Sequence, residues 1–351
     1  MTPRASLSVG VRVTLAVLGL LLALWLLTRL QGLVVLLLLS TTLATGVFPV
    51  VEWLEGRVLP PNGWRLPRWI PIFSTLLAIV VAALGLFYFL GSVLWREGSQ
   101  AWDDFPSYMD GLSGWLAGMR EQFPQIPSTR QLALTAQKQI GLTGQYLWQT
   151  TSALLGVLGV IGSALTVLVL TFYMLLEREK LRAAFLSLIP PAHQKKVDDT
   201  TAEALRTMGG WLRGQVILVL LMTTLISIAM ALLGLPHPIL LGMAGGLGEL
   251  IPMVGPIAAG VIAVPLAFLL LPLWVGIATV AFFLVLSIVE GNVIVPKVMQ
   301  ANVGLPPFFT VVAVLAGATL YGVAGALLAL PLAAALRVYL QRLVVPAIQK
   351  K

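Results

Sequence analysis

The chain has 351 residues, of which 58% are hydrophobic and 10% charged, with a mean hydropathy of +0.96 and a formal charge of +8. A soluble domain carries about 25% charged residues, so this composition excludes a water-facing surface and reads as an all-α integral membrane protein. With no cysteine and only His193 and His237, set far apart, the chain offers no disulfide, thiol chemistry or metal-ligand spacing; no cofactor, catalytic metal or enzyme activity is expected.

Uncharged runs long enough for a hydrocarbon core about 30 Å thick fall at 13 to 28, 33 to 51, 70 to 95, 150 to 176, 215 to 235 and 273 to 289, with further apolar segments at 238 to 271 and 306 to 336. The first is read as a retained helix rather than a signal peptide, because no small-residue cleavage site follows it and a second span lies close behind. Lys and Arg favour cytoplasmic loops. Arg4 and Arg12 therefore hold the N-terminus inside, the first hairpin turns at Arg29, and Arg57, Arg65 and Arg68 lie inside again. The stretch from Arg96 to Trp148 balances five acids against four bases and is expected outside. Its Trp102, Phe105, Tyr108, Trp115, Met119 and Phe123 suit short amphipathic helices on the membrane surface.

Beyond the span at 150 to 176 comes the most basic region, with Arg178, Lys180, Arg182, Lys195, Lys196, Arg206 and Arg213, and the tail adds Arg337, Arg342, Lys350 and Lys351. The inner segments hold 16 bases and seven acids, so the positive charge is an orientation signal, with both termini cytoplasmic in a plasma or inner membrane, and not a nucleic-acid footprint. The chain divides into a three-helix membrane region (1–95), an extracytoplasmic amphipathic segment (96–148), a spanning helix with a basic cytoplasmic helical loop (149–213), a transport core (214–340) and a basic tail (341–351). Gly156, Gly159, Gly162 and Ser163 permit close helix approach, either within the protomer or in a homo-oligomer.

Chemistry concentrates in the C-terminal half. Among the 123 residues between Arg213 and Arg337 only Glu249, Glu290 and Lys297 are charged. A charge at mid-bilayer costs at least about 3 kcal/mol and normally faces a cavity or a partner; the alternative is a helix end at headgroup level. Glu249 lies in GGLGELIPMVGPIAAG, where Gly248 precedes it and Pro252, Gly255 and Pro256 follow. Proline removes a backbone donor and glycine admits positive φ, so the segment 238 to 271 reads as two half-helices in a re-entrant hairpin, or as a kinked span. An offset of 70 maps Gly234–Pro236 onto Gly304–Pro306 and Gly255 onto Gly325, and the later segment has its own cluster, Gly317, Gly322 and Gly325, before Pro331. A second, inverted hairpin is expected there, pairing with the first around a midplane site. Between them EGNVIVPKVMQANVGLPP supplies Glu290, Asn292, Lys297, Gln300 and Asn302, with Pro296 breaking the helix before Lys297. This set suits a polar solute or a cation, with Lys297 able to neutralise a carboxylate; a cytoplasmic loop with a snorkelling lysine is the other reading.

The WLRGQ start (Arg213, Gly214, Gln215), LGLPHPILLGMAGGLGELIPMVGPI, EGNVIVPKVMQANVGLPPF and AGATLYGVAGALLALPLAA together resemble the autoinducer-2 exporter (AI-2E) family, also called PerM-type permeases. The match is close over the C-terminal half and rests on hydropathy alone in the N-terminal half. Pro252, Gly255 and Pro256 stand at the family's IP-x-x-GP turn, and Glu290, Gly291, Asn292, Pro296 and Lys297 in its EGN-x-x-x-PK stretch. Glu249 stands where many members have an aspartate, and Met253 where relatives often have an aromatic residue. The resemblance implies a homo-oligomeric secondary transporter that exports small polar solutes such as autoinducer-2-like signals, coupled to protons or sodium. A sodium(lithium)/proton antiporter and a non-transporting membrane scaffold are the alternatives. No P-loop occurs, and no Ser/His or paired-Asp arrangement supports an intramembrane protease.

Overall fold

A computed structural model describes residues 30–57, 67–122, 150–251, 254–299 and 307–349, with Thr14, Val17 and Leu18. The rest of the first span, Arg4, Arg12, Arg29, Arg65, residues 123–149, Pro252, Met253, Gln300, Asn302, Gly304, Pro306, Lys350 and Lys351 lie outside the described residues. Those described form helices and no strand.

Helix α1 is Gln31–Arg57, α2 is Trp69–Gln122 and α3 is Thr150–Leu176. Short α4 (Arg178–Ser187) leads into the long α5 (Pro191–Leu232). Then come α6 (Pro238–Gly248), α7 (Val254–Leu270), α8 (Leu273–Val289) and α9 (Pro307–Tyr339). Among the described residues six helices are long and apolar enough to cross a membrane by length and composition, α9 being counted as one despite its interruption at Tyr321 and Gly322, and α6 and α7 are shorter apolar ones. Their large apolar side chains, such as Phe87, Leu165 and Val261, are exposed, as lipid-facing helices require. α2 runs without interruption to Gln122. As far as that residue the outer segment is thus the continuation of a span and not a separate short helix.

The N-terminal helices α1, α2 and α3 pack through Ala44, Val47, Val51, Ile72, Leu76 and Leu175. Ser40 Oγ reaches the carbonyl of Val167 at 3.3 Å, and Thr171 Oγ1 that of Ser40 at 3.3 Å. Such hydrogen bonds hold helices together where lipid supplies no hydrophobic drive. Gly159 and Gly162 have open space around them, so their face of α3 packs on nothing described in this protomer.

α5 is the spine. At 42 residues it is about 63 Å long, and different partners lie along it. α1 crosses at Gly209, where a Cβ would run into the Thr45 carbonyl. Pro49 in α1 has no N–H to give Thr45 O, its normal acceptor four residues back; Arg213 of α5 bonds that freed carbonyl at 3.4 Å and Gly46 O at 3.1 Å. Farther along, Met222, Ile226 and Met230 join Leu241, Ala259, Ala263, Ala267, Val275 and Phe283 in the largest core, between α5, α6, α7 and α8.

Both breaker-rich segments fold back. α6 and α7 are the arms of one hairpin, about 16 and 26 Å long at 1.5 Å per residue, so neither alone crosses a 30 Å core. α9 is interrupted at Tyr321 (φ −139°, ψ 21°) and Gly322 (φ 59°, ψ −140°). In a continuous helix Gly317 and Gly325 would be about 12 Å apart along the axis, yet here a Cβ on either would strike the carbonyl of the other. Residues 307–320 and 323–339 are therefore the arms of a second hairpin, again short then long. Its long arm packs by Ala335, Leu332 and Tyr339 on Ala204 and Met208 of α5, and Tyr339 shares a 2.8 Å hydrogen bond with Thr201. Among the described residues the main partners of α9 are α5 and α1 rather than the first hairpin, so the described arms of the two hairpins do not pair with each other.

Gly209→Leu and Gly325→Leu each place a side chain against a carbonyl, and overpacking of this kind costs about 1–3 kcal/mol or more. Both are expected to lower the thermal unfolding midpoint in detergent, whereas Gly162→Leu, in open space, leaves it unchanged.

Candidate functional site

Glycine thins α6 until it fits between two helices. Gly242 and Gly246 lie against Ser227, Thr223 and the Val219 and Thr223 carbonyls of α5, while Gly245 faces Ile226, Ala259 and Gly255 O. Backbone therefore meets backbone on both sides, the small-residue packing used inside membranes. Four residues beyond Gly245 the chain leaves the helix at Glu249, whose N–H still bonds Gly245 O at 3.0 Å. The tight approach carries the Glu249 side chain inward with it. It is 0% exposed, and Gly255, at the start of α7, lies against its Oε2.

The second carboxyl comes from α8. Val289 passes into a π-helical turn, Glu290–Ile294, and the helix continues through Val295–Val298. Pro296 explains the turn: its ring displaces the carbonyl four residues back and it donates no N–H, and a wider turn accommodates both. The helix thus widens ahead of Pro296 and ends at Met299 instead of breaking before Lys297. Glu290, the first residue of the turn, is buried beside Glu249, near enough for the two carboxyls to repel when both are charged and to hydrogen-bond when one carries a proton.

The Arg-Gly-Gln run ties this pair to the rest of the fold. Successive residues of α5 point about 100° apart, and these three meet three different elements. Arg213 holds α1; Gly214 admits Val298 and Met299, at the end of the α8 continuation; Gln215 Nε2 donates to the backbone carbonyl of Glu249. Glu249, Glu290 and Gln215 are all buried. Gln215 Oε1 lacks a hydrogen-bond donor among the described residues, and the Glu249 carboxyl has only Glu290 and the Gly255 backbone N–H beside it.

Other expected members stand apart. Asn292 is exposed and donates to Ile288 O of its own helix at 2.8 Å. Lys297 is exposed and forms no salt bridge with either glutamate. Gly317, Gly322 and Gly325 build the second hairpin, and Gly248 and Pro256 belong to the tip of the first. In the sequence Glu97 stands out only as one of the outer acids and His237 only as an isolated histidine. In the fold both grip the first hairpin, Glu97 Oε2 accepting the Leu240 N–H at 2.8 Å and His237 meeting Tyr108 at 3.2 Å. Nothing local foreshadows contacts across 129 and 143 residues.

Chemically the site is a set of oxygen acceptors. A carboxylate in a dry interior costs several kcal/mol unless it is compensated; for Glu249, beside a second carboxyl, a proton shared between the two or a small monovalent cation bound by their oxygens supplies that compensation. Among the described residues no cluster of three or more His, Asp or Glu side chains is placed to hold a metal ion.

The sequence model of a family described as "AI-2E family transporter" matches residues 14–344. "Putative transport protein YrrI" of Bacillus subtilis is 25% identical over 316 residues, covering 86% of this chain and 84% of the relative. "Putative transport protein MT0215" of Mycobacterium tuberculosis is 26% identical over 321 residues, 88% of this chain and 82% of the relative. "Putative transport protein sll0063" of Synechocystis is 26% identical over 314 residues, 86% and 75% of the two chains.

Gln215→Leu removes the donor that holds the Glu249 carbonyl, a loss of about 1–3 kcal/mol for a buried group. The variant is expected to unfold at lower temperature and to exchange amide hydrogens faster at residues 247–251, while Lys297→Ala matches wild type in both measurements.

Proposed function

The chain belongs to the AI-2E transporter family, and from that premise we propose that this multi-pass membrane transporter is a secondary active exporter of a small polar solute, driven by a proton or sodium ion bound at Glu249 and Glu290. The observation that carries the reading is the complete burial of the Glu249 carboxyl at a hairpin tip, beside a second buried carboxyl. A site of two acids changes its net charge when a proton or cation enters. The cost of keeping it dry changes with that charge, so occupancy biases whether the site is closed or opened to water. Because Gln215 holds the backbone of Glu249 and Glu290 starts the π-helical turn, such a change is felt by α5, α8 and the first hairpin together. Half-helix ends and non-helical backbone at such tips serve as solute and ion sites in transporters.

Solute class and direction rest on the family likeness, which favours small polar molecules of the autoinducer-2 type moving outward. Orientation rests on charge: the basic α4–α5 region and the tail are assigned to the cytoplasm, with both termini, in the plasma or inner membrane. Gly159 and Gly162, open in the protomer, offer a face for assembly as a homo-oligomer. A sodium(lithium)/proton antiporter is the second reading, favoured by the all-oxygen character of the site, in which Gln215 Oε1 adds an acceptor that a shared proton leaves unused.

The test is counterflow in proteoliposomes against a panel of polar metabolites, with and without sodium and a pH gradient. Glu249→Gln and Glu290→Gln are each expected to cut cation-coupled flux at least tenfold while expression and assembly persist. Normal coupled flux by Glu249→Gln removes this residue from the mechanism. Cation exchange without solute movement selects the antiporter.

A further inference from the structure

We infer that residues 97–108 of α2 form a proton-sensitive clamp on the entry end of the first hairpin, tightened when His237 becomes charged. The inference stands apart from the transport reading, since it concerns how firmly α6 is held and not what crosses.

A helix start leaves backbone N–H groups without partners inside the helix, and α6 is poorly equipped to satisfy them. Its N-cap is His237, whose side chain makes no cap hydrogen bond, and Pro238 follows at the first helical position. The missing acceptor comes from another helix: Glu97 of α2, 9% exposed, takes the Leu240 N–H. A carboxylate there also faces the positive end of the helix dipole.

His237 is held on the same surface. Among the described residues it is the one non-glycine with positive φ, at 53°, a conformation that surrounding contacts must enforce. Its side chain is 9% exposed; Nε2 lies 3.2 Å from Tyr108 Oη and 3.8 Å from Asp104 Oδ2. Burial, then the charge of Asp104 and a hydrogen bond to it, push the Tyr108 phenol above its usual pKa, so it remains a neutral hydroxyl. With the phenol proton given to Asp104, Tyr108 Oη accepts from Nε2–H of His237, whether the ring is neutral or charged. When His237 is charged, the imidazolium also faces the Asp104 carboxylate at 3.8 Å, adding an ion pair to the hydrogen bond.

The titratable and charged groups of α2 around this point are Glu97, Asp103, Asp104, Tyr108 and Asp110, with Arg96 the one base between 96 and 119. The end of α5, α6 and the length of α7, which passes Gly111 of α2 at Leu269, bring no charged side chain near His237 before Glu249. Among the described residues the field around His237 is therefore acidic. Histidine as a side-chain type changes charge between about pH 5 and 8. The added ion pair is present at the acid end of that window and lost toward its alkaline end. α6, 11 residues long, links the clamp directly to Glu249, so a tighter clamp restrains the arm that carries the candidate site.

Hydrogen exchange of the full-length protein in nanodiscs, corrected for the intrinsic pH dependence of exchange, tests this at about pH 5.5 and 8. The amides of residues 237–247 are expected to open about threefold or more less often at the lower pH in wild type. The difference is expected to vanish in His237→Asn, which keeps a residue tolerant of positive φ, and to shrink in Asp104→Asn, a change at an exposed position. Glu97→Ala is expected to loosen the segment at both pH values and retain the pH difference. A wild type indifferent to pH, or a His237→Asn variant with the wild-type response, overturns the inference.

Discussion

Burying a carboxyl in a dry interior is costly unless its charge is compensated, and much of the C-terminal half is arranged around that constraint. Glu249 reaches its position because α6 has glycine on both of its packed faces and can sit between α5 and α7 with backbone against backbone. Glu290 reaches it because a π-helical turn opens at the end of α8. Remove either device and the two acids no longer share a site. The pairing is thus a product of backbone geometry as much as of side-chain chemistry.

α5 makes the pairing a property of the whole molecule. Three successive residues on it, Arg213, Gly214 and Gln215, hold α1, the end of the α8 continuation and the hairpin tip. The Arg213 contact exists because Pro49 releases a carbonyl in α1, so a proline in the N-terminal region is matched by an arginine 164 positions later. A shift at the acid pair therefore has a direct mechanical route to the N-terminal helices and to the second hairpin, whose long arm packs on the same spine.

The architecture was largely legible in the sequence, because spans are set by apolar length and helix breaks by Gly and Pro. Both hairpins fell where breakers clustered, and Gly322 takes the positive φ that only glycine adopts easily. Three features were not legible, each for a local reason. α2 runs past the end of its apolar stretch because leaving the bilayer does not by itself end a helix, and Pro106 is accommodated within it. Lys297 follows Glu290 by seven residues, two α-helical turns, which would set both on one face; the π-helical turn between them rotates Lys297 away to the surface. The role of Gln215 lies in a hydrogen bond spanning 34 residues, for which no spacing rule exists.

Coupling through this fold turns on whether a proton or sodium ion occupies the acid pair. Anything that binds the folded state preferentially raises its stability in proportion to the logarithm of ligand concentration. The direct measurement is the thermal unfolding midpoint of the purified protein as sodium and pH are varied, in wild type and in the double variant Glu249→Gln/Glu290→Gln. The expected wild-type midpoint rises with sodium concentration, or with acidity in the range where surface carboxylates remain charged, and the double variant loses the sodium response, or the part of the acid response that His237→Asn leaves in place. Equal responses in the two proteins would contradict occupancy of the acid pair.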